Sequence, residues 1–345
     1  METASESALV LAAQAGDQTA FEALASAYRR ELLVHCYRML GSVHDAEDIV
    51  QETLLRAWEK RASLTSPGSY RAWLYRIATN LCLDKLRRAP HRTLPTETHP
   101  ISDPGSPLPE RVREPIWLEP FPDDLLADQE SDPQDRALSR ERITLAFLVA
   151  LQHLTPVQRA VLLLREVLEW EAREVAEWLN LTVPAVNSAL QRARRALRQR
   201  NIGIDDVNTR PDANIPALVD RYVALWEQAD MHGFVALLRE DAWFTMPPIP
   251  AWFRGRAAIA RVFQTPLFTG AGPRRLLPTR ANGSPAFGLY ELDAGTGAYE
   301  LFGLAVLGVM NEEIAFIVAF LDPESFSSFA LPPSLPYRAG EGLSK

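Results

Sequence analysis

Between His44 and Lys60 the run HDAEDIVQETLLRAWEK brings small or apolar residues back at steps of three and four: Ala46, Ile49, Val50, Thr53, Leu54, Ala57 and Trp58. Such steps line up side chains on one side of an α-helix, so the spacing predicts a helix with one buried stripe. Its outward face is then Asp48, Gln51, Glu52, Leu55 and Glu59. Leu55 is an apolar residue on an acidic surface, a combination suited to docking on a basic protein. A solvated face with one stray leucine is the plainer reading.

Residues 69 to 88, SYRAWLYRIATNLCLDKLRR, carry a second helical pattern with Tyr70, Leu74, Ile77, Ala78 and Leu81 as its core stripe and Ser69 as N-cap after Pro67-Gly68. Ser69, Trp73, Arg76, Asn80 and Arg87 fall on another face, and Arg88 follows directly. A tryptophan among arginines and an asparagine offers a stacking surface, phosphate charge and an amide for base edges, which is what single-stranded nucleic acid requires. Packing of Trp73 on a neighbouring helix is the alternative.

In LEWEAREVAEWLNLTVPAVNSALQRARRALRQR the periodicity gives two helices, roughly 169 to 179 and 183 to 199, joined by a turn, with Thr182 as N-cap and Pro184 in the first helical turn. This is helix-turn-helix spacing. Val183, Val186, Leu190, Ala193 and Leu197 form the expected buried stripe of the second helix. Pro184, Asn187, Ser188, Gln191, Arg192, Arg194, Arg195 and Arg198 are its candidate DNA-facing residues. Small and amide side chains come first and arginines later, as in a recognition helix that sets its N-terminal half against base edges and its C-terminal half against phosphates.

The last third differs. IPALVDRYVALWEQADMHGFVALLRED reads as one amphipathic helix, FRGRAAIARVF as a strand end plus a short helix, and FGLAVLGVM, NEE and IAFIVAFLD as a hairpin of two apolar runs around a polar turn. The expected architecture is therefore two all-α helical domains, the second a helix-turn-helix, a connector, and a C-terminal α+β domain. The boundaries are 1–88, 89–136, 137–199 and 213–331, with a further break at 199–214.

Charge changes this picture in two places. The 345 residues carry a formal charge of -8, yet residues 187 to 200 hold five arginines and no acid. Residues 53 to 88 hold eight basic side chains against Glu59 and Asp84, whereas residues 97 to 135 hold eleven acids against Arg111 and Arg113. Ten of the 26 prolines also lie between Pro90 and Pro133, a density that forbids helix, so 89–136 is expected to be an acidic, extended linker. Within it, WLEPFPDDLL looks like a docking segment. Each phosphate contact adds about 0.9 to the salt slope, so a few arginines alone bind duplex weakly and something else must supply affinity.

Cys36 and Cys82 sit among apolar helical residues and are expected to be core thiols. The N-terminus lacks a basic stretch ahead of its short apolar run and no window approaches 18 uncharged apolar residues, which predicts a cytoplasmic protein with no membrane association. No metal, cofactor or catalytic residue is assigned: Asp230, His232 and Asp241 are near one another in sequence only.

Taken in order, DAEDIVQETLLRAW, SYRAWLYRIATNLCLDKLRR and LTPVQRAVLLLREVLEWEAREVAEWLNLTVPAVNSALQRARRAL resemble a bacterial RNA polymerase sigma factor of the extracytoplasmic-function (ECF) type over about residues 10 to 90 and 137 to 198. The resemblance implies that Asp48, Gln51, Glu52 and Leu55 dock on the clamp helices of the largest polymerase subunit. Trp73, Arg76, Asn80, Arg87 and Arg88, with the loop RASLTSPG, would hold the melted minus-ten strand. The helix from 183 would read the minus-thirty-five element beside the polymerase flap, and the acidic linker would thread the active-site cleft in place of RNA.

Residues 213 to 331 are similar to the SnoaL-like, ketosteroid-isomerase-like α+β cone appended to some ECF sigma factors. Tyr222, Trp226, Met246, Trp252 and Phe302 are candidates to line a small-molecule pocket there, or are plain core. The resemblance implies control in cis by this cone. The other readings are a stand-alone helix-turn-helix regulator with a sensing cone, and an isomerase-type enzyme fused to a DNA-binding module.

Overall fold

Thr155 opens one helix with a reciprocal cap, its hydroxyl accepting from the Gln158 amide and the Gln158 side chain accepting from its own. Local chemistry of this kind delimits several of the elements seen in a computed structural model that describes residues 2–64, 66–88, 91–112, 117–126, 144–199, 215–265, 268 and 272–337. Contacts divide these into two units, one of residues 2–92 and 146–199, the other of residues 93–126 and 215–337.

The first unit begins with α1 (Glu2–Gln14), α2 (Gln18–Leu40), α3 (Val43–Glu59) and α4 (Tyr70–Leu86). Asp17 caps α2 by accepting from the Ala20 amide, and Gly41 ends it in the left-handed conformation at φ 73°. Ser42 then caps α3 through the Asp45 amide. Ser69 does not cap α4 as its sequence position suggests. It closes a 3-10 turn, Pro67–Ser69, and its hydroxyl donates to the Ser66 carbonyl instead, because the backbone at Ser69 (φ -99°, ψ 9°) is not the extended conformation a capping serine needs.

The stripe expected on α3 is buried from Ala46 to Ala57. On α4 burial is wider than one stripe: Tyr75, Thr79, Cys82 and Leu86 are covered as well as Tyr70, Leu74, Ala78 and Leu81, because α2 and α3 pack on one side and residues 156–170 on another. Both thiols are fully buried and neither is in a disulfide. Burial raises the Cys82 thiol well above its ordinary value, so it stays protonated and inert.

His35 on α2 is another buried titratable group in this core. Its Nε2 lies 2.9 Å from Thr79 Oγ1 and its ring meets Tyr75 edge-on at 5.1 Å. Burial, with Arg38 and Arg71 nearby, pushes its pKa down to about 3. The unfolded chain therefore takes up the extra proton first as pH falls from about 6.5 toward 3, and stability declines by about 1.4 kcal/mol per pH unit in that window. Going from pH 7 to pH 5 is expected to cost this unit about 2 kcal/mol. Urea titrations at several pH values check this, and His35→Gln should flatten the slope.

The rest of the unit is α5 (Leu145–Gln152), α6 (Pro156–Leu162) with a π-helical turn Leu163–Val167, α7 (Ala172–Trp178) and α8 (Val183–Gln199). Arg159 on α6 is completely buried; its guanidinium donates to the carbonyls of Met39, Gln152 and Leu154, and so ties α6 to the end of α2. Burial pushes its pKa down to about 10, and it remains charged at neutral pH. Beside it Trp170 meets Tyr75 edge-on at 4.9 Å and Trp178 at 4.2 Å. The second helical region thus packs on the first.

The second unit is built on one sheet of β1 (Leu238–Met246), β2 (Ile249–Arg254), β3 (Arg274–Ala281), β4 (Ser284–Leu292), β5 (Ala298–Met310), β6 (Glu313–Phe320) and β7 (Ser334–Pro336). Its order is β2-β1-β6-β5-β4-β3, with β7 on β5; β1 and β6 run parallel and every other pair antiparallel. The hairpin read from sequence is β5 and β6. Its turn residues Asn311 and Glu312 both have positive φ, at 51° and 63°, the backbone of a tight two-residue turn. Opposite Phe316 stands Gly308, where no Cβ would fit.

Against one face of the sheet lie α9 (Ile215–Glu227), α10 (Met231–Ala236) and α11 (Arg256–Phe263). The single long helix expected from 215 is thus two helices and the start of β1. Ala229 turns left-handed at φ 52° and Asp230 caps α10 by accepting from the Gly233 amide, so the chain folds α10 back into the core with Phe234 fully buried.

The proline-rich segment is not extended free of the folded units. Residues 93–112 and 117–126 run over the C-terminal sheet. The Ser102 amide donates to Trp252 O (2.9 Å), the Trp252 indole to His99 O (2.8 Å), and the Val112 amide to Pro248 O (3.0 Å). Further on, the Phe121 amide donates to Asn282 Oδ1 and the Asn282 amide to Phe121 O, both at 2.9 Å. Asp123, buried, accepts from the Gly283 amide (2.8 Å) and Arg280 Nε (3.1 Å). The docking segment WLEPFPDDLL thus seats Leu118 and Phe121 in the core and fixes Asp123 on the β3–β4 turn. Residues 127–136 of the expected linker and the break at 200–214 lie outside the described residues.

Candidate protein and nucleic-acid interfaces

Four sets of side chains named from sequence can be placed. On α3, Asp48, Gln51 and Leu55 are exposed and Glu52 is half-buried, so the four share one outward face. Leu55 is 53% exposed. Glu52 pairs with Arg56 one turn on (2.7 Å), whereas Asp48 lies at the edge of a buried-side network in which Lys85 bonds Asp45 (2.6 Å) and reaches Asp48 at 3.9 Å. Burial works against ionising Asp45, but hydrogen bonds from Lys85 and Arg92 hold its carboxyl below the usual range.

On α4, Arg76, Asn80, Arg87 and Arg88 are exposed and Trp73 is half-buried. Trp73 rests beside Tyr70, ring centres 6.1 Å apart, which fixes the indole while leaving part of it uncovered. Arg87 is paired with Asp84 at 2.6 Å. The loop before α4 is held by Arg61, which lies over the Trp58 ring at 4.2 Å and donates to the Trp58 carbonyl.

On α8, Thr182 caps the helix through the Ala185 amide (3.3 Å), as read from sequence. Val186, Ala189, Leu190, Ala193 and Leu197 are buried against α6 and α7. Val183, expected in that stripe, is 38% exposed in the first turn of the helix. Pro184, Asn187, Gln191, Arg192, Arg194, Arg195 and Arg198 are exposed and Ser188 is half-buried. Arg192 donates to Ser188 Oγ (2.7 Å) and Arg194 pairs with Glu166; both contacts are at the surface and open to exchange for phosphate.

In the second unit a cavity of about 430 Å³ opens between the sheet and α9 and α11. Of the five pocket candidates, Tyr222, Trp226, Met246 and Phe302 line it. Trp252 does not; its indole faces the docked segment at His99. Sequence reading missed Arg111, Arg274 and Glu291, the charged residues of the wall, because they come together only when β3, β4 and the segment from 93 meet. Asp230 and Asp241 stand elsewhere, one as the α10 cap and the other paired with Arg239 at 2.5 Å. The same pairing holds the Asp241 carboxyl low.

Comparison with known proteins agrees with this division. Residues 24–92 match Sigma-70 region 2, residues 144–197 match Sigma-70 region 4, and residues 219–316 match the SnoaL-like domain. The ECF RNA polymerase sigma factor SigG of Mycobacterium tuberculosis (strain H37Rv) is 45% identical over 319 residues, covering 91% of this chain and 85% of the relative. The chain belongs to the ECF RNA polymerase sigma factors. Sigma factors act with core RNA polymerase on promoter DNA to start transcription, and this one carries a SnoaL-like C-terminal domain.

Another mycobacterial relative, the ECF sigma factor SigJ, is 33% identical over 225 residues, 65% of this chain and 63% of its own. The crystal structure of M. tuberculosis SigJ superposes with a TM-score of 0.58 at 25% identity, covering 89% of this chain and 98% of that one. The sigma factor's helical regions and its C-terminal sheet thus occur together in a solved relative. Among the described residues no helix is long and apolar enough to cross a membrane.

Proposed function

We propose that Asp48, Gln51, Glu52 and Leu55 form the contact to the clamp helices of core polymerase, that Trp73, Arg76, Asn80, Arg87 and Arg88 hold the unpaired minus-ten strand, and that Pro184, Asn187, Ser188, Gln191, Arg192, Arg194, Arg195 and Arg198 read the minus-thirty-five duplex beside the flap. The observation that carries this reading is α8: one side is buried from Val186 to Leu197 while the polar and basic residues of the other side stand at the surface. An exposed row with amides first and arginines last fits a major groove approached from its N-terminal end. We divide the chain accordingly into 1–88, 89–136, 137–199 and 213–331.

The C-terminal domain acts in this reading by binding and packing, not by catalysis, and it governs the sigma domains in the bacterial cytoplasm where the polymerase works. The docked segment supports this. A connector fastened to the cone through Asp123, Asn282 and Trp252 cannot also lie in a polymerase channel, so release of the segment and engagement of polymerase compete. Run-off transcription with bacterial core polymerase, using the full chain and residues 1–204 in parallel, tests both parts. Transcripts dependent on the added protein and a several-fold difference between the two forms are expected. No transcripts together with no core binding would refute the assignment of the interfaces; equal output from both forms would refute control by the cone.

A further inference from the structure

The C-terminal cavity is apolar over most of its wall, with Trp226, Phe244, Phe263, Phe268 and Phe302 supplying flat surfaces, and its charged lining residues are Arg111, Arg274 and Glu291. There Arg274 lies against two of the rings, its guanidinium carbon 5.6 Å from the Phe268 centre and 5.5 Å from that of Phe302. Glu291 answers it at 3.5 Å, a loose ion pair. The third charged lining residue, Arg111, comes from the docked segment; it is exposed and forms no ion pair with another described residue. Among the described lining residues two guanidinium groups stand against one carboxylate, an excess of one positive charge. Arg111 is held in place by its neighbours: Leu108 packs on the core, and the Val112 amide bonds Pro248 O while the Trp117 indole bonds Val112 O at 3.1 Å.

From these contacts we infer that the cavity is a binding site for a small, flat, largely apolar monoanion, its ring system among the aromatic side chains and its acidic group between Arg111 and Arg274. A volume of about 430 Å³ lies within the range that encloses whole small molecules. Because Arg111 belongs to the segment 93–126, the site is complete only while that segment is docked. Ligand and docking then stabilise each other by linkage, and the ligand favours the docked state by its affinity difference between the two states. This deepens, and rests on, the reading of the cone as the regulatory part.

The probe is 8-anilino-1-naphthalenesulfonate, compared with N-phenyl-1-naphthylamine, which has the same ring system without the charge, each titrated by fluorescence into the full-length protein. One site per chain is expected, with the anion bound about tenfold more tightly. Arg111→Gln should remove that preference while changing affinity for the neutral dye no more than about twofold. Ala305→Phe, which fills the cavity, should abolish binding of both, and Ala319→Leu is a second filling variant should the first fail to fold by circular dichroism. At ten times its Kd the anion should slow hydrogen exchange at the Val112 amide by up to roughly tenfold. Equal affinity for the two dyes, binding that survives a folded cavity-filling variant, or unchanged Val112 exchange would each overturn the inference. Failure here in a protein whose run-off activity still depends on the cone leaves the regulatory reading standing, so the two fail separately.

Discussion

Leu55→Asp is expected to weaken binding to core polymerase by roughly 100-fold without lowering the stability of the free protein. Leu55 is more than half exposed and contributes nothing to the buried side of α3, so the folded chain loses little when it is replaced. At a polymerase contact the balance differs. Covering a leucine side chain yields about 1.5–3 kcal/mol, and a carboxylate in its place must be stripped of water with no cationic partner assured. A loss of about 3 kcal/mol corresponds to the stated factor. Leu11, at 56% exposure another uncovered leucine of the same unit, is the control: Leu11→Asp should leave core affinity within twofold. Surface-immobilised core polymerase provides the measurement. Equal affinities for both variants and the parent would remove α3 from the interface.

The second large effect is on the fold. Arg159→Met keeps an unbranched side chain of similar reach but leaves the carbonyls of Met39, Gln152 and Leu154 without their shared donor. Hydrogen bonds to a charged group contribute about 1.5–3 kcal/mol each, and buried acceptors left unpaired cost about 1–3 kcal/mol each. Against this stands the desolvation of the guanidinium, visible in its lowered pKa, which the methionine avoids. The carbonyls cannot be removed with the arginine, so loss dominates. About 3 kcal/mol is expected, or a melting transition of the helical unit lowered by roughly 6–12 °C in calorimetry. A shift under 1 °C would mean that the two terms cancel and that Arg159 does not hold α6 to α2.

The exposed faces of α3 and α8 were legible because each depends on one period along one helix. Asp48, Gln51, Glu52 and Leu55 had to share a face once Ala46, Ile49 and Val50 were placed inside, and the α8 arginines followed from Val186, Leu190 and Leu197 in the same way. Where local chemistry competed, the period misled. The apolar run from Ile215 continues through Asp230 as if unbroken, but an aspartate able to cap a new helix interrupts it. On α4 the assumption of one buried side failed because two neighbours cover it, which Tyr75 and Cys82 reveal only in place.

Sequence alone determined the order of the helical and sheet-bearing regions, the presence of α3, α4 and α8, the β5–β6 hairpin and the outward faces of α3 and α8, since these follow from spacing and turn chemistry over short stretches. Tertiary structure alone decided three further matters. It fastened the acidic segment to the C-terminal sheet, where Asp123 reaches residues 157 and 160 positions away in sequence. It buried Arg159, a residue that composition would leave in water, among carbonyls from α2 and the end of α5. It also brought Arg111, Arg274 and Glu291 into the lining of one cavity. Each depends on groups far apart along the chain whose interaction has no period to announce it; only closure of the sheet and docking of the segment bring them within reach.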